Sequence, residues 1–161
     1  MKLFFKITLF CFTIAGFSQE TNLKNIQKLT FGGDNAEAYF SPDGTKLTMQ
    51  VSHPKANIPC DQIYLYDLNQ KPHSSENLNL ISTGKGRTTC SYFMPDGKHI
   101  IYASTHASST ECPAPPKPHE GKYLWAVYPE FDIYIADLKG NIVKQLTNTP
   151  GYDAEAVVSP D

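Results

Sequence analysis

The sequence predicts an all-β chain built from repeated units of four antiparallel strands, and three observations predict it. The hairpin word YFSPDGTKL at Tyr39 to Leu47 returns as YFMPDGKHI at Tyr92 to Ile100 and starts again as VVSPD at Val157 to Asp161. A strand word follows each of the first two hairpins, QIYLYDLNQ from Gln62 and DIYIADLKG from Asp132. Beyond the first eighteen residues there is no ten-residue amphipathic helical pattern; short runs rich in Val, Ile, Tyr, Phe and Thr alternate with turn signals instead.

The first element lies outside the repeat. MKLFFKITLFCFTIAGFSQE has the parts of a secretory signal peptide: Lys2 and Lys6 ahead of an apolar run, then Gly16-Phe17-Ser18 with small residues at the cleavage positions. The run is too short for the roughly 20 residues that span a bilayer, and Cys11 sits inside it without the small residues that precede a lipid-attachment site. Cleavage after Ser18 is expected, leaving an exported product in the periplasm or at the cell surface with no membrane span. Losing Lys2 and Lys6 takes the basic side chains from 14 to 12 against 16 acidic ones, a formal charge of −4. That balance argues against nucleic acid or an anionic membrane as the main partner.

The repeat then orders the chain. Aligning Pro42, Pro95 and Pro160 puts Gly33, Gly86 and Gly151 in one column and Glu37, Cys90 and Glu155 in another. Each unit closes on an apolar-hydroxyl word, Leu29-Thr30, Ile81-Ser82 or Leu146-Thr147. Proline presets φ for the second position of a type I turn, aspartate tolerates the third, and glycine takes the left-handed conformation that closes a hairpin, so SPDG and MPDG are hairpin loops. In the first unit the strands are EAYFS, KLTMQV, IYLYD and a fourth ending near LIST. Because IYLYD is apolar or aromatic on both faces, its sheet must be covered on both sides. Radial stacking of small four-stranded sheets achieves this, so the expected architecture is a β-propeller of about two and a half blades, with units around 34–83 and 87–148 and the start of a third at 152–161. An ordinary β-sandwich leaves the regular return of one turn sequence unexplained.

The prolines stand 53 and 65 residues apart, more than a minimal blade of roughly 40 to 45 residues needs. The excess is assigned to insertions between the second and third strands, Ser52 to Asp61 and Ser104 to Phe131. With the proline turns at the bottom, both insertions, the glycine linkers, the mature cysteines and the Glu37/Glu155 column fall on the top surface.

These words resemble the WD40-like repeat of TolB-type β-propellers, marked by an SPDG hairpin, a short apolar strand and an IY..D..G word; the resemblance runs from Gln27 to Asp161. It implies an exported, non-catalytic scaffold that binds a protein, peptide or envelope polysaccharide, without a cofactor. It also admits a second role, the substrate-gating propeller of a larger prolyl-oligopeptidase-like hydrolase or of a lyase. Propellers of this kind have six or more blades, and the chain breaks off inside SPD, so the expectation is the N-terminal portion of a longer product.

Candidate chemistry concentrates on the top surface. Glu37 and Glu155, at the heads of first strands, present carboxylates to a ligand or simply accept backbone hydrogen bonds. Tyr123, Trp125, Tyr128 and Phe131 follow the proline-rich stretch Pro113 to Pro118 and form either a recognition ledge or a loop packed onto its own blade. Arg87 completes the ligand-binding candidates. Cys60, Cys90 and Cys112 leave two disulfide pairings in view, Cys60 with Cys112 between the insertions or Cys60 with Cys90 to the neighbouring blade. With His106 and His119 these cysteines lack the close paired spacing of a zinc site. The serines near Ser108 and Ser109 lack the G-x-S-x-G elbow of a hydrolase, so no residue is assigned a catalytic role.

Overall fold

The structure, a computed structural model, describes residues 22–122 and 124–159; the signal-peptide reading of 1–18, Tyr123, Pro160 and Asp161 fall outside the described residues. The chain is all-β. Strands β1 (Asp34–Phe40), β2 (Lys46–His53), β3 (Ile58–Asp67) and β4 (Leu78–Leu80) form one antiparallel sheet in that order. Strands β5 (Thr88–Phe93), β6 (His99–Ser104), β7 (Asp132–Asp137) and β8 (Ile142–Gln145) form a second sheet of the same order, and neither sheet closes on itself. Helical structure among the described residues is limited to 3-10 turns at Pro54–Ala56 and Ser75–Asn77, and no helix is long and apolar enough to cross a membrane.

Equal sequence words fold in equal ways. In the first hairpin Gly44 N–H donates to Ser41 O at 2.8 Å and Ser41 N–H to Lys46 O at 2.9 Å; in the second Gly97 N–H donates to Met94 O at 2.9 Å and Met94 N–H to His99 O at 2.8 Å. Both glycines have left-handed φ, 69° and 64°. The aspartates lock the turns: Asp43 accepts from Ser41 Oγ and the Thr45 amide, Asp96 from the Lys98 and His99 amides. Those bonds favour the charged form, and Asp43 is held down to about 2, first by the Ser41 hydroxyl and then by Thr45.

The closing hydroxyls have a shared task. Ser82 Oγ accepts the Ile63 amide and Thr147 Oγ1 accepts the Ile133 amide, both at 2.9 Å, so each hydroxyl satisfies one main-chain donor of the third strand in its sheet. The same hydroxyls donate to the residue before, Gln62 Oε1 and Asp132 Oδ1. The glycine column is equally determinate. Gly33 and Gly86 have φ of 64° and 61°, and a Cβ on them would lie 2.4 Å from Ser52 O and 2.6 Å from Thr105 Oγ1. Gly33 and Gly86 therefore each press their backbone on the end of the second strand of their own unit, where a side chain has no room, whereas Gly151, third in the column, has nothing within 4 Å of a Cβ.

The two sheets pack face to face. Ile63 and Leu65 of β3 meet Ile100 and Tyr102 of β6 and Tyr134 and Ala136 of β7, with Ile81 from the linker, in one buried cluster. Alternation along β2 and β3 puts Leu47, Met49, Val51 and Tyr66 on the opposite face of the first sheet, partly covered by Leu29, Ile58 and Leu78. Both faces of the first sheet thus bury apolar side chains, as the IYLYD word requires.

Four expectations need correction. β2 runs to His53 and β3 begins at Ile58, so the first insertion shrinks to residues 54–57 and Cys60 belongs to β3. The extra length of the first unit lies instead between β3 and β4, residues 68–77. Glu37 does not head its strand but is the fourth residue of β1, at an irregularity in its pairing with β2. The described part of the third unit, residues 152–159, forms no strand.

The glycine geometry sets an expected contrast. Gly44 and Gly86 both have positive φ, but a Cβ on Gly44 meets nothing within 4 Å whereas one on Gly86 meets Thr105 Oγ1 and the His106 main chain. Gly44→Ala then costs only left-handed strain, about 1 kcal/mol, and Gly86→Ala costs more than twice as much because backbone must move. Urea unfolding midpoints measure both; equal losses would contradict the close approach.

Candidate functional site

The site begins with a defect in two strands. The register of β1 on β2 slips between Ala36 and Tyr39, and that of β5 on β6 slips between Thr89 and Tyr92, so Glu37 and Cys90 are the bulged residues of the two first strands. Both are left-handed, φ 50° and 47°, and Glu155, in the same repeat column, has φ 58°. A bulge re-aims the side chain it carries. Left-handed backbone is costly for residues other than glycine, of order 1–3 kcal/mol each, and recurs where the surrounding structure holds it for a purpose. Three equivalent residues share it here.

The bulge of β5 is held from the neighbouring sheet. Gln50 of β2 is 7% exposed, and its Oε1 accepts the Cys90 amide at 2.6 Å and the Thr89 hydroxyl at 2.9 Å. Flanking it, Thr48 Oγ1 and Ser91 Oγ share a hydrogen bond of 2.7 Å, Thr88 Oγ1 donates to Asp61 O, and Gln62 Nε2 donates to Gly86 O. The Tyr39 and Tyr92 rings, from equivalent positions of the two first strands, pack at a tilt of 38° with centroids 4.2 Å apart. Tyr39 Oη donates to Glu37 Oε2 at 2.6 Å, and this bond is the main reason its phenol titrates well above the ordinary range.

Two adjoining pockets open on this framework. The first, about 450 Å³, is lined by Glu37, Tyr39, Cys90, Tyr92, Trp125 and Glu155 together with Gln50 and Thr89. The second, about 210 Å³, lies under the long loop between β6 and β7, with Pro115, Pro116, Leu124 and Phe131 on one side and Asp61 and Arg87 on the other. Gln50, Thr89 and Trp125 line both, so Trp125 forms the partition. It is 63% exposed, whereas Phe131 is 3% exposed and packs against Tyr128 and Tyr152. The loop is thus anchored by Phe131 and presents Trp125. Its other anchor is covalent: Cys60 of β3 is bonded to Cys112, with Cα atoms 6.0 Å apart.

Of the residues singled out in the sequence, Glu37, Trp125 and Glu155 meet in the larger pocket, and Arg87 joins Trp125 in the smaller. Tyr123 lies outside the described residues. Arg87 reaches Asp61 only at 3.9 Å, and its Nε is buried with no hydrogen-bond partner among the described residues. Cys90, considered above as a disulfide partner, is a free thiol. Sequence reasoning missed Gln50, Tyr39 and Tyr92. The paired tyrosines stood in the repeated word, and Gln50 was one of the alternating polar positions of KLTMQV, where the second unit has Ala103. Among the described residues no three His, Cys, Asp or Glu side chains are grouped to hold a metal ion.

Burial pushes the Cys90 thiol up, and the facing Glu155 and Glu37 carboxylates push it further, against the opposing bond from Thr89. A raised thiol carries less thiolate at any pH below its titration, and thiolate is the nucleophile. Iodoacetamide at pH 8 is expected to alkylate Cys90 at least about threefold more slowly than free cysteine. Glu37→Gln with Glu155→Gln should recover part of that rate. Mass spectrometry of the Cys90 peptide reads both, and alkylation as fast as free cysteine would contradict this electrostatic arrangement. Compared with protein-family models and with curated proteins, the chain has no match.

Proposed function

We propose that this chain is an exported, non-catalytic β-propeller segment similar to TolB-type propellers, and that its top surface binds a protein, peptide or envelope polymer. One observation carries the binding reading: Glu37, Arg87, Trp125 and Glu155, from four separate parts of the sequence, line two pockets with a common wall. Concave sites lined by aromatic side chains with a few convergent polar groups are where proteins take ligands. The propeller reading is supported by the way the second sheet covers a face of the first, and by Gly33 and Gly86, which press on equivalent strand ends. In this role the sheets are a rigid frame, and the disulfide-tethered loop supplies the variable contact.

An exposed tryptophan at the shared wall has the character of a binding hot spot. Envelope proteins, peptides and polysaccharides passed over the immobilised chain should be retained, and Trp125→Ala or Arg87→Ala should weaken that retention by at least about tenfold. Retention unaffected by either substitution would remove this surface from the function.

A further inference from the structure

We infer that the larger pocket receives the side chain of a lysine or arginine residue in a bound peptide, an assignment that rests on the binding reading above. The pocket has two carboxylates, three aromatic rings and a neutral amide, and each matches one part of such a residue. Glu37 and Glu155 line it with no lysine or arginine among its lining residues. The Cys90 thiol between them adds no positive charge, and the Tyr39 hydroxyl occupies only Oε2 of Glu37. The packed Tyr39 and Tyr92 rings and exposed Trp125 give the aliphatic stem an apolar surface and the cationic head an aromatic face.

Gln50 adds an oriented donor beside the two carboxylates. Its carbonyl is committed to the Cys90 amide, a fixed donor, so the orientation of the carboxamide is fixed too. That leaves Nε2, with two N–H groups, without an acceptor among the described residues, on a side chain 7% exposed that lines both pockets. This nitrogen opens on the pockets, so its N–H groups are available to an acceptor that a ligand brings. The main-chain carbonyl of a peptide residue whose side chain enters the acidic pocket is such an acceptor. Across Trp125, the apolar wall of Pro115, Pro116 and Leu124 suits a neighbouring apolar residue of the same peptide.

Trp125 is the only tryptophan of the chain and the wall shared by the two pockets, so its fluorescence reports binding at this surface. The full chain is titrated with acetyl-leucyl-lysine amide, acetyl-leucyl-norleucine amide and glucosamine. The lysine peptide is expected to bind at least about tenfold more tightly than its norleucine counterpart, a difference of about 1.4 kcal/mol. Salt should weaken the lysine peptide and leave the norleucine peptide little changed. Glu37→Gln with Glu155→Gln should bring the two peptides within about twofold of each other. Because lysine and norleucine are compared on the unaltered chain, poor folding of a variant cannot imitate a negative result. Equal binding of the two peptides, no saturable change with the lysine peptide, or glucosamine binding as well as that peptide would each overturn the assignment. If lysine and norleucine bind alike while Trp125→Ala still abolishes retention of envelope material, the binding surface stands and only the lysine assignment fails.

Discussion

The carbonyl of Gln50 is the contact on which the rest of this arrangement depends. A β-bulge leaves a main-chain amide outside the ladder of its own sheet, and the Cys90 amide of β5 is in that position. Gln50 reaches across from the neighbouring sheet and accepts it, together with the Thr89 hydroxyl. Left unpaired in a buried place, such an amide costs about 1–3 kcal/mol, several times the net gain from an ordinary surface contact. The two sheets are therefore joined by more than the apolar cluster of Ile63, Leu65, Ile100 and Tyr102, which sets their spacing without directing side chains into the pockets. Apolar contact is non-directional; the polar contacts of Gln50, Thr48 and Thr88 set the register of one sheet on the other.

That register has a functional consequence. Because the second sheet is held at its bulge, Cys90 comes to lie between Glu37 of the first unit and Glu155 of the third. Left-handed backbone at Glu37 and Cys90 turns their side chains out of the ladders, and Glu155, left-handed at the same repeat position outside any strand, lines the same space. The loop from β6 to β7 adds Trp125 to the same space, steadied by Phe131 and by the bond from Cys112 to Cys60. The pockets mix repeated and unrepeated elements: Glu37 with Glu155 and Tyr39 with Tyr92 come from equivalent repeat positions, whereas Gln50 and Trp125 have no equivalent in the lining.

What the sequence made legible was local chemistry. Pro42-Asp43-Gly44 and Pro95-Asp96-Gly97 dictate their turns through φ preferences and aspartate bonds that act over a few residues, so those hairpins could be drawn in advance. The sheet order followed from four successive strands in each unit pairing with their sequence neighbours, even across the long connection from β6 to β7. The bulges were not legible, because glutamate and cysteine give no sign of left-handed backbone; tertiary contact imposes it. The Gln50 contact spans 40 residues and crosses between sheets, beyond the reach of any local rule. The first insertion was drawn too long because Ser52 and Pro59 look like loop residues, yet pairing with β2 extends β3 back to Ile58. Glu37, Trp125 and Glu155 were identified from repeat position and aromatic character, and their meeting in one pocket was visible only in three dimensions.

Amide hydrogen exchange at Cys90 tests the role of Gln50 most directly. If the Gln50 carbonyl holds the bulge, the Cys90 amide exchanges as slowly as the Tyr102 amide in the core of β6, and Gln50→Leu releases it while Tyr102 stays protected. A Cys90 amide that exchanges freely in the unaltered chain, or one that keeps its protection in the leucine variant, would contradict the account.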